Sequence, residues 1–203
     1  AVFASDRSSV YVIDLERWGI RNDGTKPAET TQGINRALQW AHEQGIKAVT
    51  LPGGTYLIDK NSSIQMVSDM VWELGDDVII QKESNGLEGY HTLYIGPEVQ
   101  NVVIRGGWYR GDRDTHDYSG KDVPWSAGTH ESGIGIMLQG AKNVTIEGVK
   151  ATHFTGDGLC ICGYGKQIAV LSAGDFEPGA VDDRGQLVAD RNKMRTKREK
   201  TGF

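Results

Sequence analysis

The sequence contains few cysteines and prolines and no long apolar run. Its 203 residues include 2 Cys and 5 Pro. Two cysteines cannot form a disulfide framework, and Cys160 and Cys162 would point to the same side of a strand. We therefore interpret both as small buried residues. No apolar stretch approaches the roughly 20 residues that cross a bilayer, and residues 1–9 lack the basic start and apolar core of a signal peptide.

Charge of one sign is not in large excess either. The net charge of −5 predicts no general attraction to nucleic acid or to anionic membranes, so we expect neither as a partner. Glycine is abundant, with 27 residues, which is typical of a chain with many tight corners. The length is sufficient for one domain with a substantial core.

One segment has clear helical periodicity, followed by a strand-type segment. The apolar face is spaced at i, i+3, i+4 and i+7, and consists of Ile34, Ala37, Leu38 and Ala41. Thr30 or Thr31 is predicted to cap the start of this helix, and Gly45 is predicted to close its end. Residues 48–58 then contain two short strand-type runs separated by a Pro-Gly-Gly break.

These segments resemble, in order and spacing, the opening of the pectate-lyase-like superfamily, which includes phage tailspikes, polygalacturonases and polysaccharide lyases. The matching residues are 18–25 (WGIRNDGT), 31–41 and 51–57 (LPGGTYL). The chain departs from that pattern at Trp18, where Phe is usual, and at Glu29-Thr30, where two Asp residues are usual. The resemblance covers about a fifth of the chain and implies an all-β, right-handed parallel β-helix with an N-terminal capping α-helix. It implies no single activity, because the same opening precedes binders, lyases and hydrolases.

Internal repeats also indicate a solenoid. Residues 101–106 (NVVIRG) and 143–148 (NVTIEG) share a pattern 42 residues apart, and Ile80 and Ile104 are 24 residues apart. Ile134-Gly135-Ile136 similarly matches the run that begins at Leu159. A period near 24 is about one coil, and 42 is one coil with an insertion of roughly 20 residues. We predict that Val78–Ile80, Val102–Ile104 and Val144–Ile146 stack in register and that the insertion is 111–131.

The predicted organisation has three parts. Residues 1–14 form an arm, residues 15–172 form the β-helix with its capping helix at about 30–44, and residues 173–203 form a charged tail. The tail is interpreted as a linker rather than a phosphate-binding arm, because aromatic residues are not interleaved with its basic residues. So few coils followed by a charged tail indicate a portion of a longer protein. Open strand edges at the end of the solenoid favour a homotrimer.

The insertion and its borders carry the first candidate site. Aromatic rings beside carboxylates suit sugars, whose C–H faces stack on rings while their hydroxyls bond to acids. The predicted substrate-binding residues are Trp108, Tyr109, Arg110, Trp125, His130 and Glu131. Asp112, Asp114 and Asp117 provide an alternative as Ca²⁺ ligands, although a solvated loop is the simpler interpretation. We predict no resident cofactor.

A second candidate site is the turn Thr155-Gly156-Asp157-Gly158. It partly resembles the Asn-Thr-Asp-Gly motif of hydrolase members of the superfamily, whose later Gly-His-Gly and Arg-Ile-Lys motifs are absent. The candidate catalytic residues are Asp157 with Asp112 or Asp114, as paired carboxylates, and His153 as a base for a lyase. An ordinary turn acid and an ordinary corner histidine are the simpler interpretations.

Two functions therefore remain open. The first is the N-terminal part of a phage or prophage tail appendage that recognises bacterial surface polysaccharide, in the virion tail or outside the cell. The second is a polysaccharide lyase or glycoside hydrolase. The incomplete catalytic set favours binding.

Overall fold

The computed structural model describes residues 10–120 and 128–162, and the backbone of residues 166–171. Two helices precede most of the strands: α1 (Leu15–Trp18) and α2 (Pro27–Glu43). The strands are β1 (Tyr11–Val12), β2 (Ala48–Thr50), β3 (Gly54–Ile58), β4 (Ile64–Gln65), β5 (Met70–Lys82), β6 (Gly89–Ile95), β7 (Gln100–Arg110), β8 (Ser132–Gln139), β9 (Lys142–Glu147), β10 (Lys150–Thr152), β11 (Leu159–Cys162) and β12 (Lys166–Leu171).

All the paired strands run parallel, in two sheets. The first sheet has the order β1-β2-β5-β7-β9-β12, with β3 also paired to β5 and β10 to β7. The second has the order β11-β8-β6-β4. From β5 to β9 the chain alternates between the two sheets. Each strand therefore pairs in parallel with the next strand of the same sheet: β5 with β7, β7 with β9, and β6 with β8. The prediction of an all-β chain with stacked parallel strands is confirmed.

The core is a column of inward apolar side chains. In the first sheet Val49, Trp72, Ile104 and Ile146 are successive ladder partners, and each is 0% exposed. The expected neighbours Ile104 and Ile146 are therefore confirmed. Because each of these side chains packs above and below on an apolar partner, the column excludes water along its length.

The predicted register of Val78–Ile80 is wrong. Met70–Trp72 lies opposite Val102–Ile104, whereas Ile79 and Ile80 pair with Trp108 and Tyr109. The reason is an irregularity in β5 between Leu74 and Ile79. Beyond it the same strand continues in a shifted register relative to β7. Likewise Leu159 pairs with Ile136 rather than Ile134. That two-residue shift keeps every side chain on the same face.

The first helix turn also differs from the prediction. α2 begins at Pro27, and neither Thr30 nor Thr31 caps it. Proline is favourable there because the first turn does not need its missing N–H. Both threonines are buried, and Thr31 accepts a hydrogen bond from the backbone of Asp59 at 2.9 Å. The apolar face of the helix is buried as expected, and the left-handed Gly45 follows its end.

The rest of the predicted organisation is described only in part. No strand occurs in the described residues between Arg110 and Ser132, as expected for the insertion. Cys160 and Cys162 are not joined in a disulfide and are half-buried rather than buried. Residues 1–9 of the predicted arm, and the predicted tail at 173–203, lie outside the described residues.

The column predicts a measurable cost at Ile146. Ile146→Val should lower the free energy of unfolding by about 0.5–1.5 kcal/mol, because it removes one buried methylene from a site that is 0% exposed. Ile79→Val is the matched control, since Ile79 is half-buried on the same sheet, and should cost less. Urea unfolding of both variants gives the comparison, and equal costs would contradict the assigned register.

Candidate functional site

A groove with a volume of about 680 Å³ lies along the second sheet. We call it the groove throughout. Its walls come from the segment after β3, the end of β5, the entry of β6, the start of β8 and the turn before β11. They are formed by Lys60, Asn61, Ser62, Ser63, Lys82, Leu87, Gly89, Tyr90, His91, Glu131, Ser132, Ile134, Met137, Asp157 and Cys160.

Two carboxylates share the groove, Glu131 and Asp157. The backbones that carry them are in contact: the Gly156 N–H donates to the Gly133 carbonyl at 2.8 Å. A Cβ at Gly156 would overlap the Glu131 carbonyl oxygen, so only glycine allows this approach. The packing therefore holds the two backbone segments that carry the acids side by side, although 25 residues of chain separate Glu131 from Asp157.

An aromatic surface lies beside the acids. The His91 ring stacks on Tyr94, with centroids 5.6 Å apart and an interplanar angle of 13°. Burial, and secondarily the nearby Lys82 ammonium, lowers the pKa of His91 below its ordinary value. The imidazole, which lines the groove, therefore favours its neutral form.

Lys82 forms part of the floor and is 1% exposed. Its Nζ donates to the carbonyls of Asp59 and Ser62, each at 2.7 Å, and of His91 at 2.9 Å. Burial lowers the pKa of Lys82 to about 8, against the opposing effect of nearby carboxylates. With all three donors occupied by backbone, Lys82 ties one wall of the groove to β6 rather than offering an N–H to a ligand.

A chain of buried hydrogen bonds runs from the groove into the insertion. The Tyr90 hydroxyl donates to Asp112 Oδ1 at 2.5 Å, and Asp112 Oδ2 lies 2.8 Å from His116 Nδ1. His116 Nε2 lies 2.9 Å from His130 Nδ1, and His130 Nε2 lies 2.8 Å from the Gly120 carbonyl oxygen. Burial, reinforced by Asp112, raises the pKa of Tyr90. We call Asp112, His116 and His130 the buried triad.

Three predicted site residues lie in the interior, which corrects their expected exposure. Asp112 is 3% exposed, and its carboxylate also accepts two hydrogen bonds from Asn85 at 2.9 Å. His130 is 0% exposed. Tyr109 is 0% exposed, and its hydroxyl accepts from Trp72 Nε1 at 2.9 Å. None of these three can lie against a polymer on the surface, because inward strand positions and hydrogen bonds bury them.

Four other predicted residues form a separate patch outside the groove. Asp114 lies 3.7 Å from His153 Nε2 and 4.0 Å from Arg110 Nη2. The Trp108 ring is half-buried, and Lys150 Nζ sits 4.0 Å from its centroid. A cation therefore already covers one face of this indole. Trp125 lies outside the described residues.

The aspartates considered for Ca²⁺ do not converge. Asp112 points inward, Asp114 is exposed, and Asp117 accepts from the Ser119 N–H at 3.0 Å and hydroxyl at 2.6 Å. The part of the chain that the structure describes holds no group of three or more acidic, histidine or cysteine side chains placed to hold a metal ion.

Sequence reasoning missed Lys82, Tyr90 and His91, whereas His116 was considered beside His153 and His130 as a lyase base. Lys82 had a usable signal, since it continues the inward alternation of Val78 and Ile80. A lysine on a buried strand face needs partners, which marks it as a structural or functional position. Tyr90 carried no such signal, because its role depends on Asp112 in the insertion. The role of His91 depends on its contacts with Tyr94 and Lys82.

Neither helix in the described residues combines the length and apolar character needed to cross a bilayer.

Comparison with known proteins places the chain among parallel β proteins. No family model matches it. It is 37% identical over 171 residues to the SPbeta prophage-derived uncharacterized protein YorA of Bacillus subtilis (strain 168), a match that covers 79% of this chain and 29% of that protein. It is 32% identical over 162 residues to the uncharacterized protein YclG of the same organism, covering 74% and 27%. The chain thus spans less than a third of the length of these curated relatives.

Three solved structures share the fold. A glycosyl hydrolase-like protein from Parabacteroides merdae ATCC 43184 matches with a TM-score of 0.59, 16% identity, and coverage of 81% of this chain and 75% of that chain. PfbA, a surface adhesin of Streptococcus pneumoniae, matches with a TM-score of 0.58, 20% identity and coverage of 81% and 37%. The A-module of a mannuronan C-5 epimerase of Azotobacter vinelandii matches with a TM-score of 0.56, 16% identity and coverage of 79% and 42%.

Proposed function

We propose that the chain is the N-terminal portion of a right-handed parallel β-helix in a prophage-encoded tail appendage, and that its groove binds bacterial surface polysaccharide. The observation that carries the binding proposal is the groove itself, which is lined by two acidic residues, Glu131 and Asp157, together with the Tyr90 and His91 rings. Sugars need both features, because their hydroxyls donate to carboxylates while their C–H faces pack on rings.

The architecture supports the β-helix part of the proposal. The two parallel sheets stack their inward residues in a column, and the three structural neighbours have β-helix-type folds. α2 packs its buried face against β3 and β4 at the start of both sheets. It covers apolar strand positions there, as an N-terminal cap would.

The relatives support the biological setting. One of them is prophage-derived by name, and one structural neighbour is a surface adhesin. We extend this to a location in a virion tail or outside the cell, and to a homotrimer that covers the open strand edges at the other end. Light scattering of the longer natural chain tests the trimer, and a stable monomer at micromolar concentration would contradict it.

The groove predicts which side chains matter for binding. Asp157→Asn and Glu131→Gln should each weaken binding about 10- to 100-fold, because a hydrogen bond to a charged group contributes about 1.5–3 kcal/mol. The measurement is calorimetric titration with cell-wall polysaccharide purified from Bacillus subtilis strain 168, the organism of both relatives. Asp76→Asn is the control, since this acid is exposed on β5 and lies outside the groove.

These titrations distinguish two binding locations, the groove and the patch around Trp108. Binding that survives both acid substitutions but falls in Trp108→Ala would place the sugar on the outer patch and not in the groove. No binding by the wild type would remove the polysaccharide proposal for this portion of the chain.

A second candidate function is cleavage of the bound polysaccharide. The same acid pair favours it, because glycoside hydrolysis needs two carboxyl groups held roughly 5–10 Å apart. Packing at Gly156 brings the backbone segments that carry Asp157 and Glu131 together. Release of reducing ends or unsaturated uronates by wild type, and its loss in Asp157→Asn, would establish the enzyme; absence of both products supports binding alone.

A further inference from the structure

The buried triad contains more protons than its side chains carry when each is in its ordinary neutral-pH form. Three consecutive contacts need one hydrogen each: Asp112 to His116, His116 to His130, and His130 to the Gly120 carbonyl. The carbonyl supplies no hydrogen, so His130 Nε2 must donate. Two neutral imidazoles and one carboxylate hold only two of the three hydrogens.

A third proton therefore belongs to the triad, and its charge balances the Asp112 carboxylate. The count is the same whether the hydrogen between Asp112 and His116 sits on oxygen or on nitrogen. Without it, two lone pairs would face each other at 2.8 or 2.9 Å in the interior, where water cannot relieve the repulsion. A fourth proton would have no contact within the triad to occupy.

The triad is joined at both ends to residues that line the groove. At one end Asp112 accepts from Tyr90, which lines the groove. At the other end His130 directly precedes Glu131. His130 has a left-handed backbone with φ of 55°, which costs a non-glycine residue energy unless its surroundings impose it. Its backbone N–H, donating to Glu88 Oε1 at 3.2 Å, and its two ring contacts impose this conformation.

We propose that Asp112, His116 and His130 share three protons as one neutral unit, and that this unit positions Glu131 and Tyr90 for binding in the groove. The three act as positioning residues, since none of them touches the groove itself. The ligand part of this inference rests on the proposed polysaccharide binding. The proton count and the positioning of the backbone do not.

Other charged groups act on the triad from three segments. Glu88, at the entry of β6, places Oε2 3.8 Å from His130 Nε2, and Asp117 in the insertion also faces both imidazoles. Both carboxylates place negative charge near the imidazoles. The Tyr118 ring lies 4.7 Å from His116 and 5.7 Å from His130, where it shields them from water. Lys82, at the end of β5, places positive charge near Asp112.

Nitrogen NMR of the whole chain counts the protons directly. At pH 7 we expect three hydrogens distributed over the four ring nitrogens of His116 and His130 and the Asp112 carboxyl, which its carbon shift reports. Two ring hydrogens with an ionised Asp112 would overturn the proposal. The amide of Ser132, which donates to the Glu88 carbonyl oxygen, should be protected from exchange relative to an unprotected amide at the same pH, because the triad holds the segment that carries Glu131 in place.

Two matched variants separate the ring from the backbone. His130→Asn removes the imidazole but keeps a residue type that adopts a left-handed backbone readily. We expect the protection factor of the Ser132 amide to fall at least 10-fold in this variant at the same pH, and affinity for Bacillus subtilis 168 cell-wall polysaccharide to fall at least 10-fold. Lys26→Asn is the control, because Lys26 also has a left-handed backbone, with φ of 53°, and is exposed outside the groove and the triad.

The results distinguish the two proposals. Wild type that does not bind the polysaccharide, yet shows three triad protons and a protected Ser132 amide, removes the proposed function and keeps the triad. Equal protection of Ser132 in wild type and His130→Asn at the same pH would overturn the positioning role, even where binding is intact.

Discussion

Lys82→Met is expected to lower the free energy of unfolding by about 3–5 kcal/mol. Methionine fills most of the same space but donates no hydrogen bond. The carbonyls of Asp59, Ser62 and His91 would then lose their donor in a site that is 1% exposed. Each buried acceptor left unpaired costs about 1–3 kcal/mol, less where groove water can reach it. Urea unfolding of the wild type and the variant measures the difference.

Lys142→Met is the control, because Lys142 is exposed on β9. It should change stability by less than about 0.5 kcal/mol. Equal effects of the two substitutions would mean that the Lys82 ammonium does not hold the groove wall in place.

The pH dependence of the Lys82 effect has a defined sign. The pKa of Lys82 is about 8 in the folded chain and 10.5 ordinarily, so the folded chain releases this proton first. The resulting stability is complete above about pH 10.5 and is lost as pH falls through about 8. The stability difference between wild type and Lys82→Met should therefore grow as pH rises from 8 to 10. A difference that shrinks over this range would contradict the lowered pKa.

The sequence repeats predicted the strand pairing correctly where the repeated segments form neighbouring strands. Residues 101–106 and 143–148 have the same pattern and form neighbouring strands, so Ile104 and Ile146 could be paired from spacing alone. The spacing predicted the wrong partner for Ile80, because a repeat of apolar residues does not reveal the irregularity inside β5. Apolar alternation predicts which face of a strand is buried. The irregularity inside β5 is a matter of backbone geometry and leaves no periodic signal in the sequence, so its position could not be predicted.

The site was less predictable because its polar groups are brought together across the insertion. Asp157 and Glu131 were both predicted as site residues, but only the packing of Gly156 shows that they face one groove. Asp112 and His130 were chosen as exposed groups on a loop. The loop instead folds inward, where His116 and Tyr90 satisfy them. Composition cannot distinguish a solvated acidic loop from one that buries a hydrogen-bonded network.

Gly156→Ala should remove polysaccharide binding and also destabilise the fold. The new Cβ would overlap the Glu131 carbonyl oxygen and lie 3.0 Å from the Gly133 carbonyl oxygen. Both obstacles are backbone atoms, so neither can rotate away, and the turn that carries Asp157 must move from β8. We expect a loss of about 1–3 kcal/mol in the free energy of unfolding, typical of overpacking.

The effect on binding should exceed that of either acid substitution, because both carboxylates lose their relative position at once. We expect at least a 100-fold loss in affinity for the Bacillus subtilis 168 polysaccharide, about 2.7 kcal/mol or more. Gly75→Ala is the matched control: its Cβ would meet only the Asp77 carboxylate, the movable end of an exposed side chain, on a part of β5 outside the groove. Calorimetric titration and urea unfolding of both variants give the result. If Gly156→Ala binds like Gly75→Ala while its stability falls, contact between the two acid-bearing segments serves the fold alone, and the binding site must be sought on the patch around Trp108.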